Sequence, residues 1–175
     1  VQISELNLLD DATAAYELER CCGSKRWVAA MMKKRPFADY KTLLRDAEDA
    51  WWQLGAADWK EAFSCHPKIG ELGKIRDKFA PTATWTRIEQ SGVGSADETT
   101  LRSLAELNAQ YDKKFGYIFI ICATGKRAED MLAALRQRLN NNPDSELRIA
   151  ALEQSRITAL RLEKLCAEAP SQPTS

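Results

Sequence analysis

Five apolar residues, Leu101, Leu104, Leu107, Tyr111 and Phe115, follow one another at steps of three and four. A chain with that period presents one apolar stripe as an α-helix and scatters the same side chains as a strand. The stripe sits behind "SADE" at residues 95–98, where a serine and a glutamate three positions on form a capping box. The rest of the chain is punctuated in the same way. Asp10 or Asp11 is placed to cap a first helix that ends at Gly23. Ser24 is placed to cap "KRWVAAMMKK", which stops before Pro36. Asp39 opens "YKTLLRDAEDAWWQL", closed by Gly55, and Asp58 caps a short helix that His66-Pro67 breaks at about residue 65. "TWTRIEQSG" reads as a short helix closed by Gly92. Two more helices run from about Lys126 to Leu139 and from about Pro143 to Glu168, Pro143 being suited to a first turn.

The expected architecture is all-α: a compact single domain of about eight helices over residues 1–168. It is not a simple up-down bundle, because the helices differ greatly in length. "PSQPTS" reads as disordered, giving a C-terminal tail over 169–175. The exception is "FGYIFIICATGK". Its aromatic and β-branched residues favour a strand, yet no partner strand exists in the chain. A buried extended segment or a short helix are the readings that fit.

Composition removes several function classes. Lys+Arg and Asp+Glu both number 25, so nothing draws the chain to nucleic acid or an anionic membrane. "YIFIICA" is too short to span a bilayer. The acidic beginning does not read as a signal peptide. Five cysteines without a repeated spacing argue against a disulfide framework and for a reducing compartment, so the expected location is cytoplasmic. One histidine and scattered thiols give no metal-ligand spacing, so no metal is expected.

That histidine is His66, in "CHPKIGELG". The proline after it sets the backbone direction at a helix-to-loop junction, a common station for catalytic groups. An imidazole titrates near neutrality and suits general acid–base work. Cys65 is its neighbour, but adjacent side chains at a helix end diverge, so Cys65 reads as a small packing residue. Thr86, Glu89 and Gln90 stand about one turn apart or less and are placed to line one side of a pocket. The ordinary fate of such a Glu-Gln pair is a solvated helix end. Arg156 and Arg161 both fall within apolar stripes, and the pattern does not choose between them as a clamp for a carboxylate or ureido group. If Phe119–Ala123 is extended, its backbone polar groups lack helical partners and are available to a planar polar ligand. Trp51, Trp52 and Trp59 read as core or interface packing.

"RPF" at 35–37, "HPKIGE" at 66–71, "EQSG" at 89–92, "LNAQYDKKFGYIFIICATGK" at 107–126 and "ITALRLEKL" at 157–165 occur together in one order and spacing. In these the chain resembles the 2-oxo-4-hydroxy-4-carboxy-5-ureidoimidazoline (OHCU) decarboxylase family, over about residues 10–167. The resemblance implies an all-helical, generally homodimeric enzyme of urate degradation that yields S-allantoin without metal or organic cofactor. It implies His66 as the catalytic acid/base and Glu89 as the group that positions it. Pro67, Thr86, Gln90, the backbone of Phe119, Ile120, Ile121, Cys122 and Ala123, and Arg161 are implied as substrate contacts. Thr86 stands where many members have serine, and the hydroxyl is kept. Association with the upstream hydroxyisourate hydrolase is plausible in that context. The competing readings are a hydrolase of a related ureido or amide compound, with water activated by His66 and Glu89, and a non-catalytic helical interaction module built around the tryptophans.

Overall fold

Ser24 and Asp39 do what their positions foretell. The Ser24 hydroxyl accepts a hydrogen bond from Trp27 N at 3.4 Å, and the Asp39 carboxylate accepts one from Thr42 N at 2.7 Å. Each satisfies a backbone donor that a helix start leaves without an intrahelical partner. The computed structural model describes residues 2–67 and 98–167. Among the described residues all regular structure is α-helix: α1 Ile3–Leu8, α2 Asp11–Cys21, α3 Lys25–Lys34, α4 Tyr40–Trp52, α5 Ala56–Ser64, α6 Glu98–Phe115, α7 Ala128–Arg138 and α8 Pro143–Ala167. The all-α expectation holds, with eight helices of 6 to 25 residues among those described. None of them is long and apolar enough to cross a membrane. The expected helix at "TWTRIEQSG", the "SAD" of the capping box and the C-terminal tail lie outside the described residues.

Two boundaries differ from the sequence reading. Helix α1 was not expected. It is only six residues long and carries one buried side chain, Leu6, so it has no periodic stripe to read. Its end is held from a distance. Arg35 Nη2 donates to the carbonyls of Leu6, Asn7 and Leu9 at 3.0, 3.0 and 2.6 Å. The Asn7 amide meanwhile exchanges two 2.8 Å hydrogen bonds with the backbone of Phe37. Helix α5 begins two residues before Asp58, at Ala56. Asp58 is therefore inside its first turn and reaches back to accept from Gly55 N at 3.2 Å.

The chain divides into two compact units, Val1–Ala62 with Ser155–Ser175, and Phe63–Gln154. In the first unit Leu6, Leu18, Trp27, Met31, Leu43 and Trp51 are buried. The Trp27 indole N–H donates to Ala47 O at 3.0 Å, so its polar atom is satisfied inside the core. Trp51 is core, as expected. Trp52 is 41% exposed, because it follows Trp51 by one residue and so points about 100° round the helix. It meets Trp59 edge-on at 5.8 Å.

In the second unit Phe63, Tyr111, Phe115, Tyr117 and Phe119 form a buried aromatic cluster with ring centroids 4.6 to 6.3 Å apart. Leu104, Tyr111 and Phe115 come from the stripe on α6 that the sequence displays. After α6 the chain turns at Gly116, whose φ of 78° lies in the left-handed region that glycine enters without strain. Residues 118–123 then run without regular secondary structure. The short-helix reading of this segment is not realised, and residues 119–123 are buried without helical backbone partners.

Candidate functional site

Helix α5 ends at Ser64, and the last turn is closed by His66 N donating to Phe63 O at 3.1 Å. The chain cannot continue as helix through Pro67, so His66 stands at the exit, half-buried, with Pro67 half-buried after it. Cys65 corrects an expectation. It is exposed and not a core residue, because it occupies the turn just beyond the helix end.

The His66 imidazole meets helix α8. Its Nε2 is 2.6 Å from Oε1 of Gln154, which is fully buried. The preceding residue on α8, Glu153, is also buried, and its carboxylate accepts from Cys122 N at 2.7 Å. Two successive side chains of one helix thus hold the imidazole and the extended segment. Neither residue was singled out by the sequence reading. "LEQS" inside a helix looks like a solvated polar face, and only the long-range partners reveal otherwise. Helix α8 buries five polar side chains, Glu146, Glu153, Gln154, Thr158 and Arg161. Buried polar groups in that number need partners, and in the second unit Glu146, Glu153 and Gln154 have them.

The extended segment is braced at three further points. Arg138 Nη1 donates to Ile120 O at 2.7 Å, and its guanidinium lies 4.5 Å over the Phe119 ring. Lys126 Nζ donates to Cys122 O at 2.8 Å, and Lys126 N to Ala123 O at 3.0 Å. Arg138 is itself fixed by Glu146. One carboxylate oxygen of Glu146 accepts hydrogen bonds from Arg138 Nε at 2.7 Å and the Tyr111 hydroxyl at 2.6 Å and lies 2.6 Å from Arg138 Nη2 as an ion-pair contact, and the other accepts from Asn141 Nδ2 at 2.8 Å. Burial, and after it the bond to Glu146, raises the Tyr111 phenol well above its ordinary value. The hydroxyl therefore stays protonated and donates. Among the described residues, no hydrogen bond reaches the backbone of Phe119 or Ile121, although both are buried. A buried amide without a partner is a place where a ligand's polar atoms gain more than they do from water.

Arg161 belongs to the first unit and is 6% exposed, whereas Arg156 is exposed. Burial separates the two arginines that pattern left equal. The Arg161 cation opposes the rise that burial imposes on the Cys21 thiol. Glu89, Thr86 and Gln90 lie outside the described residues. Among the described residues no three His, Cys, Asp or Glu side chains are grouped as a metal ion would require.

With this geometry in place, the comparisons with known proteins are specific. The model of the OHCU decarboxylase family matches residues 7–163. A uric acid degradation bifunctional protein of Arabidopsis thaliana is 42% identical over 85% of this chain, and the chain spans 46% of that relative's length. The 2-oxo-4-hydroxy-4-carboxy-5-ureidoimidazoline decarboxylase of Amia calva is 33% identical, with 78% of each chain covered. The crystal structure of an OHCU decarboxylase in the presence of (S)-allantoin aligns with a TM-score of 0.74 at 37% identity, covering 91% of this chain and all of the other.

Proposed function

This chain belongs to the OHCU decarboxylase family, and on that premise we propose that it decarboxylates 2-oxo-4-hydroxy-4-carboxy-5-ureidoimidazoline to S-allantoin in urate degradation. The observation that carries the reading is the match of the family model over residues 7–163, which takes in both His66 and the extended segment. The substrate has a carboxylate and a hydroxyl on one ring carbon and a ureido group on the next. When the bond to the carboxylate carbon breaks, CO2 leaves and its electron pair passes into the ring. The hydroxyl becomes a ring carbonyl as it gives up its proton, and a proton is delivered to one face of the carbon bearing the ureido group. A further proton from solvent neutralises the ring nitrogen that takes up the electron pair, so the step balances without oxidant or reductant.

In this reading His66 is the general acid/base, and Glu89 positions it and tunes its proton. Pro67, Thr86, Gln90, Arg161 and the backbone of Phe119, Ile120, Ile121, Cys122 and Ala123 hold the substrate. A half-buried imidazole, bonded through a buried amide, supports the role of His66. The main chain of Phe119 and Ile121, which no hydrogen bond reaches among the described residues, supports recognition of a planar ring rich in amide-like groups, with hydrogen bonds of about 1 kcal/mol net each. The buried guanidinium of Arg161 supports a carboxylate or ureido contact, for which its planar fork is suited. The enzyme acts in this reading as a homodimer in the cytoplasm. Functional association with hydroxyisourate hydrolase is supported by the bifunctional relatives that act in uric acid degradation.

The test is incubation with freshly generated ureidoimidazoline while circular dichroism is followed. The expected result is S-allantoin accumulating faster than the spontaneous reaction, with release of CO2. Racemic allantoin at the spontaneous rate overturns the proposal.

A further inference from the structure

We infer that Gln154 is a positioning residue for His66: it holds the neutral imidazole with its hydrogen on Nε2 and leaves Nδ1 as the nitrogen that gains and loses the working proton. The inference deepens the proposed function and rests on its assignment of His66 as acid/base.

It starts from the chemistry of the two side chains. The Gln154 atom at 2.6 Å from Nε2 is Oε1, a carbonyl oxygen, which accepts and never donates. The hydrogen of that bond therefore sits on Nε2. In a neutral imidazole one nitrogen carries hydrogen and the other a lone pair, so the lone pair is on Nδ1. In the imidazolium both nitrogens donate, and the bond to Gln154 survives unchanged. The amide thus tolerates both charge states, whereas the proton count changes at Nδ1 alone. In the proposed reading, Nδ1 then serves the substrate or Glu89.

The setting suits a fixed contact. Gln154 is fully buried, so its amide is screened from competing water, and it lies in the interior of a 25-residue helix. Its neighbour Glu153 is bonded to Cys122 N, which ties the same turn of α8 to the extended segment. Imidazole and main-chain surface are registered against one turn of helix. The two residues that define the contact are 88 positions apart, which is why neither motif reading connects them.

A single histidine makes the test direct. Imidazole nitrogens labelled with nitrogen-15 give one set of side-chain signals, and their shifts report which nitrogen carries hydrogen. Wild type is expected to show the Nε2–H form when neutral. Gln154→Leu, close in size but without the acceptor, is expected to shift the signals towards the Nδ1–H form. The same variant should lower kcat about 10-fold with less than about a twofold change in KM, the low end of the loss seen when a group fixing an imidazole tautomer at a metal site is removed. Gln154→Glu keeps an acceptor and is expected to retain the Nε2–H form. A wild-type Nδ1–H form overturns the inference, and so does a Gln154→Leu variant with unaltered signals or unaltered kcat. If that variant does not fold, the wild-type and Gln154→Glu spectra still decide. The spectra need no turnover, so they stand apart from the assignment of His66, which fails separately if His66→Ala remains active.

Discussion

His66→Ala is expected to lower kcat by about 10²–10⁴-fold, the contribution of one well-placed general acid or base. That corresponds to roughly 3–5 kcal/mol of transition-state stabilisation. The fold should survive it. The imidazole is half-buried at a helix exit, and its removal loses the Gln154 hydrogen bond, worth about 1 kcal/mol. The chain direction at that point is set by Pro67 and by His66 N, whose bond to Phe63 O an alanine also makes. Activity and stability should therefore separate: a large loss of turnover with far-UV circular dichroism unchanged and only a small fall in Tm. Turnover within about threefold of wild type removes His66 from the proposed mechanism.

The largest effect on stability is expected at Glu146. Its carboxylate is fully buried and receives Arg138, Tyr111 and Asn141. Glu146→Ala leaves the Arg138 guanidinium, itself 7% exposed, without its counterion. Removing one partner of a buried pair costs about 3–5 kcal/mol, because the remaining charge stays out of water. Against a total stability of about 5–15 kcal/mol that is a large share. For a chain of this length the fall in Tm is roughly 6–20 °C. The loss extends to the candidate site, since Arg138 also holds Ile120 O and covers the Phe119 ring. Thermal melts with an activity assay below the transition check this. A Tm within about 2 °C of wild type would show that the network contributes little.

Most helix starts were legible because they are local. Asp10, Ser24 and Asp39 cap the helices they precede, each by a bond to the residue three positions on. The stripe on α6 and the break at His66-Pro67 are equally local. The misses share the opposite property. Helix α1 owes its end to Arg35, far along the chain. Gln154 and Glu153 look like a polar face until His66 and Cys122 are seen opposite them. Cys65 was read as packing from its residue type, whereas its exposure follows from its place past the end of α5. Arg156 and Arg161 share a pattern and differ in burial, which depends on what packs against α8. The segment at 118–123 is ambiguous for the same reason: among the described residues, side chains from α7 and α8 reach its backbone only at Ile120 and Cys122, and no rule of adjacency announces them. Of the proposed site, motifs point to His66, Pro67, residues 119–123 and Arg161. Thr86, Glu89 and Gln90 came from the same motifs and lie outside the described residues.

The tie between Arg35 and the end of α1 bears on how the protein should be cut for the laboratory. Patterning suggests starting an expression fragment at Asp10, where the first readable helix begins. Such a fragment would discard Leu6, Asn7 and Leu9, whose carbonyls receive Arg35, along with the Asn7 amide that clasps Phe37. The Arg35 side chain is only 10% exposed, so trimming would strip acceptors from a charge already sheltered from water. The nine residues that carry no motif are therefore part of the smallest unit worth expressing.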